Sequence, residues 1–189
     1  LSFRQVQEGT GNALDIDSYD RYYRHLILWD EDELEIIGSY RIGEAAKILK
    51  EHGEAGLYTH SLFEFNPAFR PYLEHAIELG RSFIQPRYQG KRSLDYLWYG
   101  IGAYLYQHPE IRYMVGPVSL STSLPESAQK VIAGFYTGLF GKDELLVRPR
   151  LPFDFEQVED FVPFKKVADE IEYKQAYTIL KERMNEFGV

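Results

Sequence analysis

Ala76-Ile77-Glu78-Leu79-Gly80-Arg81-Ser82-Phe83-Ile84 runs into Gln85-Pro86-Arg87-Tyr88-Gln89-Gly90-Lys91-Arg92 and then into Ser93-Leu94-Asp95-Tyr96-Leu97-Trp98. The first nine residues are apolar and short, as a central strand requires. The next eight form a tight polar loop. Beyond the loop, Leu94, Leu97, Trp98, Ile101 and Leu105 share one helical face, and Ser93 is placed to cap that helix. A strand handed through a glycine-containing basic loop to a helix N-terminus is a cradle for an anion, because free amides and the helix dipole converge there. Gly90 allows close approach, and Lys91 and Arg92 add full charges, so a phosphate-bearing cofactor arm suits the site.

Upstream, His25 to Trp29 and Glu35 to Ile42 read as two strands of a hairpin turning at Asp30 to Glu33. A helix is expected from Glu44 to His52, stopped by Gly53, and a third strand from Leu57 to Phe63. Downstream, Ile111 to Val118 is a core strand in which Pro117 marks a bulge, an end or a splay. Ser123-Leu124-Pro125-Glu126 has the capping-box pattern for a helix reaching Phe140 and stopping at Gly141. Residues 142–164 read as a loop or linker, and 165–189 as a C-terminal helix. Gly100 and Gly102 lie inside the helix after Ser93, each costing up to ~1 kcal/mol against Ala, so close packing on the sheet is expected there. The order is that of an α/β (α+β) chain forming a single domain over 1–189.

The 189 residues carry 29 acids and 21 bases, a net charge of -8, which argues against a nucleic-acid partner. With no cysteine, a thiol nucleophile and thiolate metal sites are excluded. The five histidines show no metal-ligand spacing, so no metal is expected. His25 and Asp30 satisfy H-x4-D, but an offset of five within a strand puts them on opposite faces. Charge is uneven: residues 1–64 hold 13 acids and 6 bases, whereas Leu79 to Leu94 holds Arg81, Arg87, Lys91 and Arg92 and no acid. Such an island steers an anionic ligand or partner. The 15 Tyr and 12 Phe fit either a core edge or a partly apolar groove, and they permit contact with a membrane without requiring it. The chain starts at Leu1 without Met or a signal-peptide pattern, which suggests a piece of something longer.

Glu78 stands out because a carboxylate inside an apolar strand is costly unless paired or functional. It is either an ion-pair partner of Arg81 or Arg41, or a general base. Strict alternation separates Glu78 from Arg81, and a bulge at Gly80 would bring them together. Asp17, Asp20 and Arg41 are read as structural ion pairs or as acceptor-side residues.

Together these segments resemble the GNAT acyltransferase superfamily, and most closely its branch acting on acyl carrier protein thioesters: ornithine-lipid (hemolysin-like) N-acyltransferases and acyl-homoserine-lactone synthases. The resemblance rests on Asp17-Ser18-Tyr19-Asp20, His25-Leu26-Ile27, Ile37-Gly38-Ser39-Tyr40-Arg41, Glu78 to Ser82, and Gly116-Pro117-Val118-Ser119-Leu120. One departure is that Lys91-Arg92 follow Gly90 where the family usually has a further small residue. Leu1-Ser2-Phe3-Arg4 is similar to the middle of the family's first helix, and similar proteins continue past Val189.

The resemblance implies a mixed, mostly antiparallel, splayed central sheet flanked by helices. It also implies a cytoplasmic enzyme moving an acyl group from a phosphopantetheine thioester, on acyl carrier protein or acyl-coenzyme A, to an amino-acid amine such as ornithine, with no tightly bound cofactor. Glu78 would be the base and Tyr136 the acid for the departing thiolate. Phe83, Ile84, Gly90, Lys91, Arg92 and Ser93 would hold the donor, and Arg41, Arg81 and Arg87 would face the acceptor or the carrier protein. The alternatives are an acetyltransferase using acetyl-coenzyme A and a non-catalytic acyl-carrier-binding module.

Overall fold

The computed structural model describes residues 16–121, 123–141, 145–151 and 170–188. The expectations for Leu1 to Arg4, for most of 142–164 and for 165–169 lie outside them. The chain divides into two compact units, one ending at Pro117 and the other starting at Val118.

The first unit opens with a 3-10 turn at Ser18–Arg21, capped by Asp17, whose side chain accepts from the Tyr19 and Asp20 amides while Asp20 accepts from the Asp17 amide. The elements that follow are β1 (Arg24–Asp30), β2 (Glu35–Glu44), α1 (Ala45–His52), α2 (Tyr58–Leu62), β3 (Phe63–Phe65), α3 (Arg70–Leu73), β4 (Ala76–Ile84), α4 (Ser93–Gln107) and β5 (Tyr113–Val115). The main sheet has the order β1-β2-β4-β5. Its first two pairings are antiparallel and its last is parallel. This is the mixed, mostly antiparallel sheet expected. Ile42, Ile77 and Ile101 form the core between the sheet and α4, with Leu26, Leu79 and Tyr104 packed around them.

The hairpin, the helix stopped at Gly53 and the central strand lie where the sequence puts them. Several details differ, among them the expected core strand Ile111 to Val118, which pairs only over Tyr113–Val115, with Tyr113 and Met114 exposed. Residues 57–63 form no long strand: Tyr58–Leu62 is helical, and the extended segment is only Phe63–Phe65. A helix start leaves its first amides without helical partners, and those of Tyr58 and Thr59 are spent on Glu78. Ser93 does not cap α4: Arg92 holds the cap position, and the buried Ser93 donates to the Tyr88 carbonyl at 3.2 Å. The expected apolar face of α4 is narrower than its periodicity, because Leu97 and Ile101 are buried whereas Leu94 and Trp98 are about half exposed. Gly100 does pack on Leu26, but nothing approaches Gly102.

The second unit pairs α5 (Glu126–Phe140) with α6 (Glu170–Glu186) around Phe135, Leu139, Val131, Ala176 and Leu180; a short strand, β6 (Val147–Pro149), lies between them in the chain. Pro125 precedes α5 without a side-chain cap, so the capping box read at Ser123 does not form. Ser123 instead pairs its hydroxyl with that of Ser121 at 2.8 Å.

Candidate active site

Strand register positions the site. Gly43 of β2 lies opposite Glu78 of β4, and Arg41 lies opposite Gly80. Between these pairs and Ser39–Phe83, β2 advances two residues while β4 advances three, so β4 carries one extra residue. The bulge falls at Arg81, whose φ of 47° is left-handed, a conformation that costs a non-glycine residue on the order of 1 kcal/mol. Glu78 is also the last residue of β4 paired with β5, opposite Val115. From Leu79 on, β4 continues to Ile84 paired with β2 alone, and Gly116, the residue after β5, still lies against the Leu79 carbonyl, where a Cβ would stand 2.2 Å from the oxygen.

Glu78 is 1% exposed, and neutral donors surround it. Tyr58 N–H donates to Oε2 at 2.9 Å and Thr59 N–H to Oε1 at 2.5 Å. The Thr59 hydroxyl donates to Oε1, and the Tyr23 hydroxyl to Oε2. Among the described residues Glu78 forms no ion pair, so neither the Arg81 nor the Arg41 partnership is made. Tyr23 reaches it because Gly43 has no side chain: a Cβ there would stand 2.3 Å from the Tyr23 ring. Burial first, then the charge and hydrogen bond of Glu78, push the Tyr23 phenol far above its ordinary value of 10.0.

Arg41, equally buried, is the hub of a second cluster. Its Nη1 lies 2.8 Å from both Asp17 oxygens and 3.0 Å from Asp20 Oδ1. Arg81 Nη2 completes the cluster, 2.9 Å from Asp17 Oδ2. The Tyr19, Tyr23 and Tyr58 rings stand 5.0–5.6 Å from the Arg41 guanidinium carbon, a cation–π cage. Among the described residues Arg41 Nε and Nη2, both buried, have no hydrogen-bond partner. Burial works against both ionised partners. It is outweighed at Asp20 by the Asp17 amide and Arg41, which hold its carboxyl below 3.8, and at Arg41 by hydrogen bonds and charge from the two aspartates, which hold its guanidinium above its ordinary value. The structure thus places Arg41 in ion pairs with Asp17 and Asp20, the structural alternative for these three residues, and draws Arg81 out of the cationic island into a pair with Asp17. Tyr23 joins the clusters, touching Glu78 with its hydroxyl and Arg41 with its ring.

The basic loop is built differently. Pro86–Tyr88 makes a 3-10 turn, and Gly90 adopts a φ of 74° with open space where a side chain would be. The first helical bond of α4 runs from the Tyr96 amide to the Arg92 carbonyl, which leaves the amides ahead of it free for an anion. Arg87 pairs with Glu35, Lys91 lies over the Tyr88 ring at 5.3 Å, and Arg92 turns outward along α4 toward Asp95 and Tyr99. Phe83 and Ile84 are half-buried at the end of β4. Tyr136 belongs to the second unit, half exposed, with its ring against Phe135 and Phe140.

A hollow of about 100 Å³ beside α1, lined by residues including Tyr22, Arg24, Glu44 and His52, involves none of the predicted site residues. Sequence reading missed Tyr23, Tyr58 and Thr59 as partners of Glu78. Their signal was present: a buried acid requires donors, and phenols cluster at 19, 22, 23 and 58. His25 lies 3.6 Å from Asp20 while Asp30 accepts from the Tyr88 hydroxyl, so the H-x4-D pair is not a unit.

A family described as acetyltransferase (GNAT) domain matches residues 1–99. The chain is similar to glycine N(alpha)-acyltransferase of Phocaeicola vulgatus, with 32% identity over the whole chain and 61% of that protein. It is similar to the protein of the same name from Bacteroides thetaiotaomicron, with 33% identity over the whole chain and 59% of that protein. L-ornithine N(alpha)-acyltransferase of Brucella abortus is 28% identical over 83% of the chain and 56% of its own length. The chain thus spans about three fifths of the length of the first two of these relatives. No solved structure matches it.

Proposed function

The chain belongs to the GNAT acetyltransferase family, and from that premise we propose that it is the acyl-transfer part of an enzyme that joins an acyl group to the amine of an amino acid. The donor is a phosphopantetheine thioester, most readily acyl carrier protein, with glycine or ornithine as acceptor and an N-acyl amino lipid as product. The names of the relatives support an α-amine as nucleophile. One observation carries the reading: a buried, hydrogen-bonded carboxylate, Glu78, stands where β5 leaves β4, one loop away from an open helix N-terminus.

In this mechanism the α4 amides and Gly90 receive the donor's phosphate, with Lys91 and Arg87 beside them. The pantetheine arm lies beyond the end of the β4–β5 pairing, along Phe83 and Ile84. The amine, with a pKa of about 8 in an α-amino group, must lose a proton to attack. Its nitrogen bonds to the thioester carbon, the carbonyl oxygen leans on a backbone amide of residues 80–84, and the C–S bond breaks. The amine's proton passes to Glu78 along the Tyr23 or Thr59 hydroxyl, since both carboxylate oxygens already accept bonds from these residues. The thiolate leaves as a thiol, its proton supplied by a general acid or by water. Arg41 and Arg81 hold this arrangement in register from the Asp17 cluster.

The test is product formation by mass spectrometry, with long-chain acyl carrier protein, long-chain acyl-coenzyme A and acetyl-coenzyme A offered separately with glycine and with ornithine. Glu78→Gln should lower kcat by about 10²–10⁴-fold, the span typical of a lost general base. A silent Glu78→Gln would favour a carrier-binding module, and turnover with acetyl-coenzyme A alone would favour a small-acyl enzyme.

A further inference from the structure

We propose that the outward face of α4 docks on the surface of an anionic lipid bilayer. The helix buries Ser93, Leu97 and Ile101. Its opposite side carries Tyr96, Tyr99 and Tyr106, with spacings of three and seven that place them on one stripe. Tyr106 is 90% exposed and Tyr96 and Tyr99 are each about half exposed; Leu94 and Trp98, also about half exposed, lie on the flank of the stripe, with the Trp98 ring 6.0 Å from that of Tyr40. A helix on a water-facing surface ordinarily turns charges outward. From Ser93 to Gln107 the only charged residue is Asp95, which lies on the same outward stripe, four residues before Tyr99, and is paired with Arg92 at 3.4 Å.

Phenol and indole side chains join an apolar body to a polar tip, and they gather where hydrocarbon meets water. The stripe also has a cationic end. Arg87, Lys91 and Arg92 immediately precede α4 in a protein whose net charge is -8. Arg92 does not fold back over the loop: its Nη2 lies 3.1 Å from the Tyr99 hydroxyl, on the outer stripe itself. Aromatic residues along a helix lying flat, with cations at one end, complement apolar chain tops and anionic headgroups. An acidic protein partner would call for cations distributed along the helix, whereas here they stop at its first turn. The inference goes beyond acyl transfer and does not depend on it, because binding is read without turnover.

The experiment uses the full chain carrying Trp29→Phe, which leaves Trp98 as the one indole of the two in the sequence. Vesicles of phosphatidylcholine alone and of phosphatidylcholine with phosphatidylglycerol at 3:1 are added. Trp98 emission should shift to the blue, and the protein should sediment with the anionic vesicles, less so at high salt. The triple variant Tyr96→Ser, Tyr99→Ser, Tyr106→Ser should bind about tenfold or more weakly, because attachment scales with the apolar area inserted. These residues are exposed, and unchanged circular dichroism confirms folding. Glu78→Gln should bind like the parent, so a failed acyl-transfer reading leaves this result standing. The proposal is overturned if neither vesicle binds, or if the triple variant binds undiminished. It is also overturned if the stripe mediates a concentration-dependent dimer or holds an acidic carrier protein while vesicles leave Trp98 unmoved.

Discussion

Two charged regions of the first unit are built on opposite plans. Around Glu78 and Arg41 the charges are withdrawn from water, and Tyr23, Thr59, Asp17 and Asp20 answer them at hydrogen-bond distance. In the loop before α4, Arg87, Lys91 and Arg92 remain at the surface in loose pairs or over rings. The difference separates stability from recognition. Removing one partner from a buried cluster strands the other charge, whereas a surface pair exchanges its partner for water.

The largest expected effect follows directly. Arg41→Ala should destabilise by about 3–5 kcal/mol, the range for a broken buried pair, because Asp17 and Asp20 lose their shared cation. Its surface counterpart Arg92→Ala, whose partner Asp95 is itself exposed, should stay within about 0.5 kcal/mol. Urea denaturation of both compares the two regions, and equal costs would erase the distinction.

A smaller effect is expected at Thr59. Thr59→Val keeps the shape but removes the hydroxyl given to Glu78, at a cost of about 1–3 kcal/mol for an under-satisfied buried acceptor, and Thr59→Ser should restore most of it. If the hydroxyl also carries the proton, kcat falls in Thr59→Val while KM holds, and serine rescues the rate. Loss of stability without loss of kcat would make Thr59 a support of the acid only.

The smallest effect is in pH dependence, and its sign differs at the two ends. The Asp20 carboxyl is held below 3.8, so its contribution is present above that value and lost as pH falls through the lower folded one. Burial, with the Glu44 hydrogen bond and charge, raises the Tyr104 phenol from 10.0 to about 12. That contribution is complete below pH 10 and lost as pH rises through about 12. Thermal melts should therefore decline at both extremes, with Asp20→Asn flattening the acid limb and Tyr104→Phe the alkaline one.

Much of this was legible beforehand, for reasons that particular residues show. Short apolar runs and turn chemistry located β1, β2 and β4, and periodicity located α4, because helical burial repeats every 3.6 residues. Boundary residues located α5, its Gly141 end holding although the capping box at Ser123 does not form. Glu78 was visible as the one acid in an apolar strand. Its donors were not, since Tyr23 and Thr59 are 55 and 19 residues away from it and Leu57 to Phe63 mimics a strand. The bulge was anticipated one residue early, at Gly80, because glycine is the easy place for one; the pairing put it on Arg81, where Asp17 receives the side chain.

By itself, the chain's order of residues determined most of the strands and helices, where the basic loop meets α4, and that an acid lies inside an apolar strand. These follow from local sterics and from hydrophobic pattern. Which donors satisfy that acid, and which cations are withdrawn from the surface, was decided only in three dimensions. A buried charge takes its partners from whatever the fold brings within about 3 Å, and separation along the chain does not constrain that choice.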